Sequence, residues 1–270
     1  MTAPAATPGM RAPAATLGSD LHMPLLGLGT WQLRGRQAYD AVRDALNAGY
    51  RHIDTATLYG NEREVGRALR DSGVPREDVF ATTKLPAGRA DRARATLLAS
   101  LDALGLDSVD LWLIHWPPRG GAGPEVWAEF LAAREDGLVR AVGVSNYSTR
   151  QIDELIEVSG GPPEVNQIRW GPSLYDPGRE KNLRARGVVL EGYSPFKSTD
   201  MRDATLRAVA SGLDVTVPQV IVRWHLQHGF VVIPKSARRE RIRANADVFG
   251  FSLAEDDMRA VDRLGRRDAR

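Results

Sequence analysis

The feature that most restricts this chain is an alternation of two element types along nearly its whole length. Short β-rich runs fall at residues 25–30, 51–55, 79–85, 109–116, 139–146, 164–168, 188–193 and 230–234. Several are almost unbroken apolar stretches, the pattern of strands buried on both faces. Amphipathic stretches lie between them. Residues 37–48 put Tyr39, Val42 and Leu46 on one stripe; Leu97, Leu101 and Leu104 do the same after the third run, and Ile152, Leu155 and Ile156 after the fifth. Thr216-Val-Pro-Gln219 and Ser252-Leu-Ala-Glu255 each have the form of a helix start with a capping box. Eight strand–helix units in succession predict an α/β fold, a (β/α)8 TIM barrel. The rival is a doubly wound open sheet, which normally carries G-x-G-x-x-G after its first strand. Here Gly27-Leu-Gly29-Thr-Trp-Gln32 has two of those glycines and lacks the third, so the barrel fits better.

The length of 270 residues, 43% of them hydrophobic, suits one such barrel with a sizeable core. Residues 1–15, rich in Ala, Pro and Thr, are expected to be a flexible tail, and residues 16–270 a single domain. That tail lacks the apolar stretch of a secretory signal, which predicts a cytoplasmic location. The absence of cysteine excludes thiol catalysis, Cys-ligated zinc and iron–sulfur clusters. A formal charge of +2 is too small for a nucleic-acid-binding field, despite a pI of 9.0. No run approaches the roughly 18 apolar residues of a membrane span. The expected partner is a small molecule, met by a monomer.

In a barrel of this kind, functional groups sit at the C-terminal ends of the strands and in the loops just beyond. Asp54 ends the second run, and Tyr59 follows in the next loop. Lys84 ends the third run, His115-Trp116 the fourth and Ser145-Asn146 the fifth; Asn166-Gln167 lies in the sixth, Tyr193-Ser194 at the end of the seventh and Lys235-Ser236 just past the eighth. Taken singly, each has an ordinary explanation: a helix cap for Asp54, a packed ring for Tyr59, a surface lysine for Lys84, a core histidine for His115. Together at one mouth they point to mutual pairing, because an unpartnered ionisable group at a buried strand end is costly.

The chemistry open to such a group is proton transfer to a reacting oxygen. Tyrosine has a pKa of about 10 and is a poor acid near neutrality unless an adjacent cation stabilises its anion. Lysine, a compact charge on a flexible stem, suits that role better than arginine. Of the 36 basic residues only Lys84, Lys181, Lys197 and Lys235 are lysines, so a lysine at position 84 stands against the bias of the chain. Asp54 would hold Lys84 and balance its charge, and His115 would orient a substrate carbonyl or share its proton. No protein nucleophile is evident, since there is neither cysteine nor a G-x-S-x-G elbow. His225 and His228, spaced i, i+3 on a helical stretch, read as packing or surface residues rather than metal ligands, and no metal is expected. A metal-dependent barrel hydrolase is disfavoured because no His-x-His pair follows the first run. The attacking group should therefore come from a cofactor, and hydride is the natural candidate.

From about Leu17 to Leu264 the chain resembles the aldo-keto reductases. The stretch Gly49-Tyr-Arg-His-Ile-Asp-Thr-Ala-Thr-Leu-Tyr-Gly-Asn-Glu62 is similar to that family's first signature. Ile233-Pro-Lys-Ser236, with Arg241 and Asn245 downstream, is similar to its last. Gly27-Leu-Gly-Thr-Trp31, Leu113-Ile-His-Trp-Pro117, Gly143-Val-Ser-Asn146, Glu164-Val-Asn-Gln167 and Gly192-Tyr-Ser-Pro195 fill the interval in the family's order. The resemblance implies a (β/α)8 barrel with an N-terminal hairpin and an extra C-terminal helix, binding NADPH or NADP+ without a Rossmann fold. It implies a tetrad of Asp54, Tyr59, Lys84 and His115, with Tyr59 as general acid. It further implies that Ser145, Asn146 and Gln167 hold the nicotinamide carboxamide and that Tyr193 stacks on the ring. Ser194, Phe196 and Ser198 would line the pyrophosphate, Lys235, Ser236 and Arg241 would take the 2′-phosphate, and Asn245 the adenine; Gly29 and Thr30 would also border the cofactor. A 2′-phosphate is a dianion well matched by Lys and Arg, and Arg238, Arg239, Arg241 and Arg243 crowd this segment.

Some features depart from the family pattern. Ala244 stands where many members have a Glu that contacts the adenine, which predicts a looser grip there. The loops after the fourth and seventh runs are short, and the chain ends six residues after Leu264. Trp31 and Trp116 are left as the expected substrate pocket, with Trp112 expected to point outward from its strand. The short-looped pattern is most similar to bacterial members that reduce keto-sugars and dicarbonyls, so small aldehydes and ketones are the expected substrates. The alternative is a non-catalytic barrel of the same fold that binds NADPH as a sensor.

Overall fold

The computed structural model describes residues 13–119 and 121–266. It opens with an antiparallel hairpin of β1 (Ala14–Leu17) and β2 (Leu21–Pro24). Eight strands follow: β3 (Leu28–Gly29), β4 (His52–Asp54), β5 (Phe80–Leu85), β6 (Val109–Ile114), β7 (Val139–Ser145), β8 (Val165–Arg169), β9 (Val189–Tyr193) and β10 (Val231–Ile233). They lie side by side in chain order, all parallel. Backbone bonds bridge the remaining gap between β10 and the residues around β3. Gly27 N donates to the Val232 carbonyl at 2.9 Å, Val232 N to Leu25 O at 2.7 Å, and Gly29 N to Pro234 O at 3.2 Å. This is the expected (β/α)8 architecture: each expected run holds one strand, except that β8 runs one residue past its run to Arg169.

Helices surround the strands. After β3 to β8 come α1 (Gly35–Asn47), α2 (Glu62–Asp71), α3 (Ala93–Leu104), α4 (Pro124–Glu135), α5 (Thr149–Ser159) and α6 (Pro177–Ala185) in turn. Two helices, α7 (Ala204–Gly212) and α8 (Val217–His228), separate β9 from β10, and α9 (Arg239–Ala246) and α10 (Glu255–Asp262) complete the chain. Helix α7 has no counterpart among the helices expected from the sequence.

Local chemistry explains most helix positions. Helix α1 buries Ala38, Ala41, Val42, Ala45 and Leu46. Tyr39 lies at the edge of that stripe rather than within it, its hydroxyl donating to Asp71 at 2.8 Å. The box Thr216–Gln219 caps α8 as expected, and Ser148–Gln151 forms a second one on α5. The box expected at Ser252 does not form, because α10 begins at Glu255 with Ala254 as its N-cap. The residues before it are tied elsewhere: the Gln227 side chain takes both the amide and the carbonyl of Leu253. Gly66 lets α2 approach the end of α3, where an added Cβ would overlap the Leu104 carbonyl.

Strands β5 and β6 are buried along their whole length. Trp112 points from β6 into the helical layer and stacks on Phe130 of α4, ring centroids 3.6 Å apart, the outward direction expected for it. The hairpin lies at the opposite end of the barrel from the mouth, where Ala15 shares a groove with Val188, Leu190 and Phe230. Its first strand takes in Ala14 and Ala15, which the sequence reading assigned to the tail; pairing with Pro24 and Met23 orders them. Residues 1–12 of the expected tail lie outside the described residues. Among the described residues, no helix is long and apolar enough to cross a membrane.

Candidate active site

The segment after β4 builds the site from the backbone upward. A single 3-10 turn, Thr57–Tyr59, closes on Gly60 in the left-handed region at φ 62° and presents the Tyr59 ring to the barrel axis. Buried Asn61 pins this turn, accepting from Thr55 Oγ1 at 2.7 Å and donating to the carbonyls of Thr30 and Leu33 at 3.0 and 2.9 Å. Buried Glu62 accepts from Thr83 Oγ1 at 2.6 Å, tying the start of α2 to β5. The last residues of the Gly49–Glu62 signature are therefore structural supports for Tyr59.

At the centre, Lys84 Nζ donates to Asp54 Oδ1 at 2.6 Å, to Asp54 Oδ2 at 2.7 Å and to the Thr55 carbonyl at 2.8 Å. Tyr59 Oη is 3.5 Å from the same nitrogen. Gln167 Nε2 donates to Asp54 Oδ2 at 2.8 Å. Burial works against the Lys84 charge, but the Asp54 carboxylate and Tyr59 outweigh it and raise the pKa of the ammonium. Burial pushes the Tyr59 phenol up, with Lys84 pulling the other way. His115 follows β6, its ring edge-on to Tyr59 with centroids 5.7 Å apart. Burial and the nearby Lys84 ammonium push its pKa down to about 3, so the imidazole is neutral. The four groups singled out in the sequence thus meet at one point.

Around them lies a cavity of about 540 Å³ lined by Gly29, Asp54, Tyr59, His115, Ser145, Asn146, Gln167, Tyr193, Ser194 and Lys235 from the expected set. Lys84 is fully buried behind it. A larger groove of about 890 Å³ near Arg92, Pro118 and Glu129 lies away from these groups. The expected walls Trp31 and Trp116 are 46% and 51% exposed and line the cavity. Leu58, 63% exposed beside Tyr59, makes a third apolar wall that the sequence reading passed over. Arg169 and Lys197 also line it unanticipated.

Ser145, Asn146, Gln167 and Tyr193 form one network. Tyr193 Oη donates to Asn146 Oδ1 at 2.9 Å, Asn146 Nδ2 donates to Ser145 Oγ at 2.9 Å, and Ser145 Oγ donates to the Gln167 carbonyl at 2.8 Å. Among the described residues, three of the four non-glycine residues in the left-handed region lie at this mouth, Gln32 (φ 64°), Asn146 (φ 64°) and Ser194 (φ 53°), and the fourth, Asp214, is in the turn between α7 and α8. Such backbone costs energy and persists where its surroundings over-determine it, typically at functional sites.

The other expected cofactor residues lie farther out. Thr30 turns inward and donates to the Asp54 carbonyl at 2.9 Å. Ser198 is buried and accepts from Arg169 Nε at 3.1 Å, while Phe196 packs on the core. Ser236 Oγ accepts from the Arg238 amide at 3.1 Å, ahead of α9. Arg241 is exposed on α9, and Asn245 is buried there. His225 and His228 serve packing: His225 is fully buried, and His228 Nε2 meets Asp262 at 2.9 Å. Among the described residues no cluster of three or more His, Asp or Glu is arranged to hold a metal ion.

A parallel barrel that gathers an Asp, a Lys, a Tyr and a His around one cavity defines a class of site chemically able to transfer a proton. Residues 25–266 match the sequence profile of the aldo/keto reductase family. An aldo-keto reductase of Mycolicibacterium vanbaalenii is 44% identical over 261 residues, covering 93% of this chain and 92% of that one. The crystal structure of an aldo/keto reductase from Brucella melitensis is similar at 40% identity and a TM-score of 0.90, covering 94% of this chain and 100% of that one. A Bombyx mori aldo-keto reductase solved in complex with NADP is similar at 32% identity and a TM-score of 0.88, covering 95% and 94%. The chain belongs to the aldo/keto reductase family of oxidoreductases.

Proposed function

We propose that this chain reduces small aldehydes and ketones to alcohols with NADPH, and that Tyr59 supplies the proton. The observation that carries this reading is the placement of Tyr59 Oη, 3.5 Å from an ammonium that is itself held by a carboxylate, on the wall of a cavity with apolar sides. When bound, the reduced dinucleotide supplies a hydride to the carbonyl carbon. The C=O π bond breaks, and its oxygen takes the Tyr59 proton to give the alcohol. Lys84 stabilises the phenolate left behind, and solvent returns the proton. Asp54 keeps Lys84 charged and aimed. Neutral His115 orients the substrate oxygen.

The donor set fits the dinucleotide. Ser145, Asn146 and Gln167 offer the amide and hydroxyl groups that a carboxamide needs, and the half-buried Tyr193 ring offers a stacking face. Lys235 and Arg241, with Ser236, offer the charge for a 2′-phosphate. Ser194, Phe196 and Ser198 would border the path between, Gly29 would line its opposite side with buried Thr30 behind it, and Asn245 would meet the adenine. Trp31, Leu58 and Trp116 make an open apolar mouth suited to a range of aldehydes and ketones, and the resemblance to short-looped bacterial members extends the expected range to keto-sugars and dicarbonyls.

A panel of aldehydes, keto-sugars and dicarbonyls, followed by loss of NADPH absorbance in the presence of a chelator, tests this. Turnover of small carbonyls should persist without metal. No NADPH consumption with any member, or activity abolished by the chelator, would overturn the proposal.

A further inference from the structure

The floor beneath the site holds a carboxyl group that the proton-transfer account does not use. Glu191 lies on β9, two residues before Tyr193, in register with Gln167 of β8 and Val231 of β10. Its side chain is fully buried, and neither carboxyl oxygen has a hydrogen-bond partner among the described residues. The polar groups facing it are His52 and Asp54 from β4, Lys84 from β5 and Gln167 from β8. His52 comes close, Nε2 3.7 Å from Glu191 Oε1, and is fully buried as well. It occupies a slot bounded by the Phe80 edge, ring centroids 5.2 Å apart, and by Gly27, where an added Cβ would overlap the imidazole. The pair is built into the barrel.

Charge accounting decides the state of this pair. All three short contacts of Lys84 go to the two Asp54 oxygens and the Thr55 carbonyl, and none goes to Glu191. Asp54 also receives Gln167 Nε2. Asp54 is therefore the ionised partner of the one ammonium. A second, bare carboxylate in the same dry interior would be far costlier than a retained proton. His52 does not offset it, since burial holds its pKa down to about 3. Burial, aided by the Asp54 charge, pushes Glu191 up to about 8, against the pull of Gln167 and Lys84.

We propose that Glu191 is a positioning residue for the proton-donating step. As a neutral acid it leaves the single Lys84 ammonium to Asp54 and Tyr59. On ionising, it puts a second negative charge beside that ammonium and holds the Tyr59 proton more tightly. The effect on turnover rests on the reading of Tyr59 as donor; the state of Glu191 does not.

Glu191→Gln keeps the shape and fixes the neutral form. For wild-type protein, kcat for carbonyl reduction at saturating NADPH should fall as pH rises through about 8. In Glu191→Gln that fall should move upward by about one pH unit or more. Thermal melts give a readout without substrate. With its pKa raised on folding, Glu191 leaves the folded state holding more protons than the unfolded state between roughly pH 4.3 and 8. Wild type should therefore lose stability relative to the variant across that window and level off above it. Parallel melting curves would overturn the neutral acid, and an unmoved kcat profile would overturn the positioning role. If Glu191→Gln fails to fold, Glu191→Leu, uncharged and similar in volume, serves both measurements.

Discussion

One ammonium, on Lys84, organises the centre of this barrel, and the residues around it differ in how they depend on that charge. Asp54 meets it with both carboxylate oxygens. Removing half of a buried ion pair strands the other half, at a cost of about 3–5 kcal/mol. Asp54→Asn should lower stability by that order in a denaturant melt, beyond any loss of turnover. The buried histidines behave differently. His52, His115 and His225 have pKa values lowered to about 3, 3 and 4, chiefly by burial. Each is neutral when folded and takes a proton when unfolded below about pH 6.5. Stability should therefore fall as pH drops from about 6.5 toward 4, by up to about 1.4 kcal/mol per pH unit per histidine. Melting temperatures across that range check this, and His225→Asn should flatten the slope. Asp54, Tyr59, Lys84 and His115 were legible in the sequence because strand ends in a barrel face one mouth. Glu191 was not, although it shares the parity of Tyr193 along β9 and so points the same way. Nothing in a single strand says that its other neighbours leave a carboxyl unpaired.

At the scale of elements, strands were easier to read than the segments that join them. Long apolar runs such as 109–116 and 139–146 contain β6 and β7 with only the ends trimmed, where the backbone ladder stops. The residues after β9 were read only by resemblance. They pass over the mouth, pinned by Arg169 to Ser198 Oγ and to the Lys197 carbonyl at 3.1 and 3.0 Å, while Lys197 Nζ stands 4.8 Å from the Trp31 ring centroid. These contacts join residues far apart in sequence, and no local pattern marks them. The same limit explains Ser252: its spacing to Glu255 is that of a cap, but Gln227 of α8 fixes Leu253 first. Helix α9 carries the test of cofactor choice. Arg241→Ala should raise the Kd for NADPH about tenfold or more and leave that for NADH nearly unchanged, as loss of a charged phosphate contact requires. Equal changes in a fluorescence titration would remove Arg241 from the 2′-phosphate role.

At the scale of the molecule, ring closure is what makes the site. Bonds from Gly27 and Gly29 to Val232 and Pro234 bring the first and last barrel strands together. Asp54, Gln167 and Tyr193, spread over more than a hundred positions in sequence, then border one cavity, with Lys84 buried behind it. The alternation of elements predicted that closure; the order of the polar residues along the chain predicted the contents of the mouth. The shape of the apolar walls depended on which large side chains the short loops leave uncovered, and Leu58 became visible as a wall only once the turn before Tyr59 was built. In the proposed reaction Tyr59 donates a proton at this mouth while a bound dinucleotide reduces a carbonyl. Tyr59→Phe removes the donated proton and little else. NADPH binding by this variant, measured by fluorescence titration, should match wild type, while kcat for a small aldehyde falls by about 10²–10⁴-fold. Undiminished kcat in Tyr59→Phe would contradict the account.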